Sequence, residues 1–482
     1  MYTFSSKLKT FSLILMVLGI LGLGYGFLTA PKNIEEVEKI LAAEEHGHHE
    51  AAAPVATEEH PAAEAVATTD IKKDSLQAVN DSTRVDSTQT AVIAPVVADT
   101  HATAASEEDA HAEHQEHLNH VLHQLQNKPW SALYVACIFF MLISLGVLVF
   151  YGIQQVAQAG WSPVLFRVMQ GITAYLPWGS VLFFCLLLLC GLHFNHIFIW
   201  LDPEVVAHDK LIQNKSGYLN FPFWIVRAAI FLGGWNLYRY FSRKNCLAQD
   251  ESTDNSFYKK NFNISAMFLV FFIVSESIMS WDWIMSFDPH WFSTLFGWYV
   301  FASFFVSGIT TICMVTLYLK GKGYLEHVNT SHIHDLAKFM FGISVFWTYL
   351  WFSQFMLIWY ANIPEEVTYF VTRIEMYNLP FFGAVVMNFV FPILILINTD
   401  FKRITWVLVM AGTVILFGHY VDFFNMIMPA TVGDQWFIGI PELGALCFFL
   451  GLFIYVVFTA LTKAPLFPKR NPFIEESKHF HY

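Results

Sequence analysis

Three small groups of ionisable residues stand inside otherwise apolar stretches, where an ionisable side chain is expensive and by default functional. Glu276, Asp282 and Asp288 lie in VSESIMSWDWIMSFDPHW. His193 and His196 close a leucine-rich run, with Asp202 just beyond. His419 and Asp422 lie in FGHYVDFF. Arg227, Tyr349 and Gln354 add single polar groups in two further apolar runs. Glu276 falls in the middle of its run. A carboxyl there is either a station that gains and releases a proton or a hydrogen-bonded tie between helices. His193 and His196 are three apart, the spacing of one helical face. They suit a proton relay, contact with a quinone carbonyl, or plain hydrogen bonding at the membrane edge. With Asp202 they form the set that would accept quinol protons. His419 and Asp422 repeat the same spacing and, with Tyr420, suit proton transfer through their span. Arg227 needs an acid partner to be tolerated in lipid. Asp288-Pro289 reads as turn chemistry, and Asp282 reads equally as a relay member or a helix cap.

Redox and metal motifs are missing from this set. The six cysteines occur in no CxxC or CxxCH pattern, which removes support for iron–sulfur, structural zinc and covalent haem c sites. Haem b wants histidines at matched depth on facing helices, and no such pairing is legible. Half of the 20 histidines fall between residues 33 and 128. His111, His114, His117, His120 and His123 recur every third residue there. That period does not hold one helix face, so a solvated linker competes with a metal-binding tract. Trp281, Trp283, Trp291, Trp298, Trp347, Trp351 and Trp359 suit interfacial belts and helix packing, or the lining of a quinone slot.

The elements that position these groups follow from composition and periodicity. Of 482 residues, 55% are hydrophobic and only 14% charged, against about a quarter charged in a soluble protein. The chain therefore uses lipid as its solvent, and it presents no basic patch for nucleic acid. Phe11–Leu28 predicts an N-terminal anchor, with a signal peptide as the competing reading; Pro31 directly after Thr29-Ala30 disfavours cleavage. Residues 33–128 are low in complexity and acidic, with helix-forming composition from Ser106 to Gln126. Nine further spans are predicted at about 130–152, 174–200, 221–241, 262–286, 292–320, 336–360, 378–398, 403–427 and 441–462, each long enough for a helix across a ~30 Å core. Alternate connections are rich in Lys and Arg: Arg239, Arg243, Lys244, Lys259 and Lys260, then Lys320, Lys322 and Lys338, then Lys402 and Arg403, then the tail. The opposite short connections hold Lys210, Lys215 and Arg373. The positive-inside rule puts both termini in the cytoplasm and residues 33–128 outside.

The runs SESIMSWDWIMSFDPHWFSTLFGWY, WTYLWFSQFMLIWYANIPEE and VVAHDKLIQNKSGYLN before FPFWIVR resemble the NrfD-like membrane subunits of bacterial alternative complex III, the ActF type above all, over about residues 130–465. That resemblance implies an all-α membrane fold of two four-helix bundles plus two flanking helices. It divides the chain into an anchor (1–32), a periplasmic His/Glu-rich segment (33–128), a helical membrane domain (129–465) and a cytoplasmic tail (466–482), in a bacterial inner membrane. It implies a complex that oxidises menaquinol and passes electrons to cytochrome c or a terminal oxidase. Haems c and iron–sulfur clusters reside in the multihaem cytochrome c and iron–sulfur subunits, and quinol binds in the ActC-like subunit. The ActF type then binds no cofactor of its own and serves proton conduction and assembly. A quinol-binding subunit and a stand-alone secondary transporter are the alternatives. The echo between SESIMSW and SQFMLIW is a faint sign of the internal repeat that many transporters carry.

Overall fold

The computed structural model describes residues 2–51 and 101–481. These form two units, 33–120 and the remainder, treated separately below. The central part of the low-complexity segment, residues 52–100, lies outside the described residues. Within residues 33–120, Ile34–Ala51 is helical, as is the stretch from His101 onward. The expected helix over Ser106–Gln126 is thus one piece with the span that follows.

Among the described residues the protein is all helix and turn, and nine helices are long and apolar enough to cross a membrane. We number the membrane helices α1 (Ser6–Thr29), α2 (His101–Val156), α3 (Pro163–Gly191), α4 (Phe221–Gln249), α5 (Ser256–Trp283), α6 (Phe296–Gly321), α7 (Thr330–Ala361), α8 (Asn378–Leu396), α9 (Thr405–Thr431) and α10 (Ile440–Leu461). The tenth is α4, the one not among those nine. Its 29 residues span ~43 Å at 1.5 Å per residue, more than the bilayer core. What lowers its apolarity is polar content such as Arg227, which binds Asp282, and Asn236, whose Nδ2 donates to Ser180 Oγ at 2.9 Å.

Two four-helix groups emerge. In the first, the Tyr151 hydroxyl of α2 is hydrogen-bonded by Gln170 of α3 (3.2 Å), Ser242 of α4 (3.2 Å) and Asn261 of α5 (3.1 Å), tying four helices at one point. In the second, α6 packs on α7 and α9, and α8 packs on α7 and α9. The groups meet where α2 crosses α6: a methyl on Gly146 would lie 2.7 Å from the Phe304 carbonyl oxygen, so only glycine permits the approach. The flanking helices α1 and α10 lie together. There a methyl on Gly22 would lie 2.9 Å from Gly444 Cα, the contact that small residues make between membrane helices.

Prolines explain the irregular turns. Pro177 cannot donate to the Thr173 carbonyl, and residues Thr173–Tyr175 tighten to a 3-10 turn. Pro392 stands four residues after Asn388, and Val386–Val390 form a π-helical bulge. One boundary differs from the sequence expectation. The third span is Pro163–Gly191, not 174–200, because the chain leaves the helix at a left-handed cap. His193 has φ 60°, its N–H donates to Cys190, and the Phe194 N–H donates to the Leu189 carbonyl. His193 and His196 therefore lie beyond the helix end, not on one helical face.

Candidate functional site

Each bundle buries one carboxylate of an ion pair or hydrogen-bond cluster near its outer half, the half away from the termini. In the first bundle this is Asp282, fully buried on α5. Arg227 of α4 binds it in a fork: Nε donates to Oδ2 at 2.6 Å and Nη2 to Oδ1 at 3.0 Å. The guanidinium also donates to the Tyr218 carbonyl (3.2 Å) and lies between the Tyr218 and Phe223 rings. Asp282 is thus an interior ion-pair member, neither a cap nor a turn residue. Glu276, one and a half turns deeper, is buried too. Its oxygens accept from Ser280 (3.1 Å) and Ser277 (3.3 Å) of its own helix, not from a facing helix as a tie between helices would require.

Below Glu276 the first bundle turns apolar. Phe272 and Phe268 fill the next two turns, with Phe268 stacked on Tyr238 at 3.9 Å. Polar groups resume at the termini side. Tyr238 donates to Ser265 (2.8 Å), Ser265 donates to the Asn261 carbonyl (2.7 Å), and Asn261 reaches Tyr151. Gln170 joins Tyr151 to Arg167, which binds Asp250 at 2.6 Å.

In the second bundle the buried carboxylate is Asp422 of α9, and among the described residues no guanidinium or ammonium lies within 4.0 Å of it. Three neutral groups donate instead: the Tyr299 hydroxyl to Oδ1, with Ser303 (2.8 Å) and Trp347 Nε1 (2.9 Å) to Oδ2. Three donors occupy most of the lone-pair positions a carboxylate offers. Because the Ser303 hydroxyl donates to Asp422, its oxygen accepts from His419 Nδ1 at 2.9 Å. That arrangement places the imidazole proton on Nδ1 and leaves Nε2 a bare acceptor. Nε2 has no partner among the described residues. Among the described residues, fully buried Asn388 of the π bulge packs against Gly418 with both amide atoms unpartnered, and Ser344 and Thr310 bury unpartnered hydroxyls. Such groups in native interiors are met by ordered water.

Outward of this cluster, Arg373 of the Pro364–Glu375 helix donates to the Asn425 carbonyl at 3.0 Å. Pro429 lacks the N–H that would otherwise fill that carbonyl, so the arginine replaces a missing helix bond. Beside it lies a cavity of about 70 Å³ lined by Asp288, Trp291, Phe296, Tyr369, Arg373 and Pro429, large enough for about two waters.

The other expected residues fall elsewhere. Tyr349 points outward and is 64% exposed on the lipid-facing side of α7. Gln354 is buried with its Nε2 unpartnered. His196 Nδ1 lies 3.6 Å from Asp202 Oδ2, and its ring meets His123 edge-on at 4.9 Å. His193 is exposed and does not join them. Asp288 accepts from the His290 backbone N–H at 3.2 Å, the turn role expected of it. Sequence reasoning missed Tyr299, Ser303 and Asn388, and read Trp347 only as a belt, packing or quinone-slot residue. The one legible signal was the four-residue spacing of Ser303, Ser307 and Thr311 on a single helix face. No protein-family model matches the chain, and no curated protein matches it.

Proposed function

We propose that this chain is a cofactor-free membrane subunit of a quinol-oxidising respiratory complex, an ActF-type member of alternative complex III. In that reading it supports proton conduction and assembly while electrons pass through neighbouring haem c and iron–sulfur subunits. The sequence resemblance motivates the assignment to the complex, its menaquinol substrate, the ActC-like partner and the bacterial inner membrane with both termini cytoplasmic. The observation that carries the proton role is the Asp422 cluster. A buried carboxylate linked through Ser303 to an imidazole with a bare acceptor nitrogen can pass a proton between Tyr299, Asp422 and His419 with small hydroxyl rotations. The 70 Å³ cavity beside Arg373 lies outward of the cluster, and Ser344, Thr310 and Asn388 supply polar groups deeper in the bundle.

The test is the proton-to-electron ratio of the intact complex in sealed vesicles. Asp422→Asn and His419→Phe are expected to lower that ratio while quinol oxidation and haem spectra stay intact. An unchanged ratio in both variants would sink the proton role. Purification of the chain as a lone, stable monomer with no haem protein attached would instead sink the assignment to the complex.

A further inference from the structure

The chain after α10 folds back over the termini side of the first bundle, and neither buried carboxylate makes use of it. Pro465, Pro468 and Pro472 each fix a backbone angle, so this stretch loses less freedom when it takes up its path. Its middle is fastened to the α4–α5 connection. The Lys469 N–H donates to Asp250 Oδ1 at 2.9 Å, and Arg470 Nη1 donates to the Ser252 carbonyl at 2.7 Å. Phe473 meets the Tyr258 ring edge-on at 6.0 Å. Its far end, the short helix Ile474–Lys478, is held differently. Fully buried Ser477 donates through Oγ to the Trp161 carbonyl at 2.7 Å and accepts from the Val164 N–H at 3.2 Å. His332 of α7 donates from Nε2 to the Ser477 carbonyl at 3.0 Å. The far end is thus a buried anchor, whereas Lys469 and Arg470 make their bonds in the open. Hydrogen bonds that water can replace are the first to open in a folded protein.

The fastened middle covers something. Pro468 and Asn471, on either side of the exposed bonds, wall a polar cavity of about 10 Å³ together with Gln155, Cys246, Asp250 and Asn261. That is room for roughly one water. Two of its walls lead inward: Gln155 Nε2 and Asn261 Nδ2 donate to the Tyr151 hydroxyl at 3.0 and 3.1 Å. The amide oxygens of the same two residues are buried and, among the described residues, unpartnered. A cavity of water size beside two bare acceptors is a hydration site, and it lies one hydrogen bond from the hydroxyl that ties α2 to α5. Asp250 makes the cover removable. Its Oδ1 takes the tail N–H while its Oδ2 stays on Arg167 at 2.6 Å, so the tail can leave without stranding the acid.

We propose that residues 467–473 are a lid, tethered between α10 and the Ser477 anchor, that lifts to admit water from the termini side to the Tyr151 hub. The lid needs neither the respiratory assignment nor the proton role of Asp422. Cys246 stands in the cavity wall and reports its opening. The full-length protein, purified with any subunits that accompany it, is treated with a charged, membrane-impermeant maleimide, and each cysteine peptide is read by mass spectrometry. Wild type should label slowly at Cys246 and not at Cys137, which is buried within α2. Arg470→Ala/Phe473→Ala removes one exposed hydrogen bond and one ring contact, and should speed labelling of Cys246 by about tenfold while Cys137 stays unlabelled. An unchanged Cys246 rate in that variant overturns the lid. Should Cys137 label as well, the variant has lost its fold and the wild type decides through amide hydrogen exchange. Wild-type Cys246 should then label, at saturating reagent, at the rate at which the Lys469 N–H exchanges, because one opening exposes both. Labelling only as fast as the helical N–H groups of α4 exchange would mean that the cavity opens on unfolding alone, and overturns the proposal.

Discussion

In the first bundle Asp282 faces Arg227 in a closed fork, and in the second Asp422 faces a tyrosine, a serine and a tryptophan. Both carboxylates are buried, and both sit in the outer half of a four-helix group. The difference lies in what each can do next. A bidentate ion pair fixes its charge: moving a proton onto Asp282 would leave Arg227 buried without a counter-ion. The three neutral donors hold Asp422 without that constraint, and its neighbour His419 keeps a nitrogen open. The first arrangement locks helices together, and the second leaves room for proton traffic. The same contrast appears between the echoed segments. Glu276 in SESIMSW is met by Ser277 and Ser280, whereas Gln354 in SQFMLIW has Phe355 and Ile358 at those positions and its Nε2 goes unpartnered.

The largest expected effect follows from the lock. Arg227→Met alone should destabilise the protein by roughly 3–5 kcal/mol, because it strands a buried charge, and Arg227→Met/Asp282→Leu should recover most of the loss. Denaturant titration in mixed micelles checks both. A single variant as stable as the wild type would erase the distinction between the bundles.

Asp422→Asn should cost less, about 1–3 kcal/mol, since the amide keeps one acceptor oxygen for the three donors. Its main consequence should be the lowered proton-to-electron ratio described above. A cost above that of Arg227→Met would reverse the comparison. Trp347→Phe removes one donor of three while keeping a ring, and should cost about 1 kcal/mol in the same titration. Glu276→Gln leaves the serine hydroxyls an oxygen to bond and should lie within about 0.5 kcal/mol of wild type. A larger loss would mean that Glu276 has a partner that its two serines do not represent.

The smallest effect belongs outside the membrane. Asp209 caps the short helix Lys210–Lys215 by accepting from the Leu211 and Ile212 N–H groups, and it meets His290 at 2.5 Å. The Ile212 bond, with the contribution of His290, holds its carboxyl below the usual carboxylate range. A lowered folded-state value gives a contribution that is complete above the ordinary carboxylate pKa and lost as pH falls through the lowered one, so the cap should release only below about pH 4. Amide hydrogen exchange at Leu211 and Ile212 reads this directly. Release near neutral pH would contradict it.

Composition and charge alternation determined the all-helical membrane class, the count of about ten spans and most of their limits, because lipid demands long apolar helices and leaves charge only at their ends or in need of partners. The need of Arg227 for an acid was also legible from its place in an apolar run, as were the pair His419–Asp422 and the turn at Asp288. Which acid Arg227 takes was not, since Asp282 stands 55 residues away and only helix packing brings them together. The termination of the third span was hidden for a related reason: a left-handed cap at His193 is set by local backbone bonds to Cys190 and Leu189, and a hydrophobic run carries no mark of where they close. Tyr299, Ser303, Trp347 and Asn388 are ordinary residues by type. They matter because α6 aims Tyr299 and Ser303, and α7 aims Trp347, at one carboxylate of α9, while Asn388 of α8 packs against Gly418, and that convergence exists only in the tertiary structure.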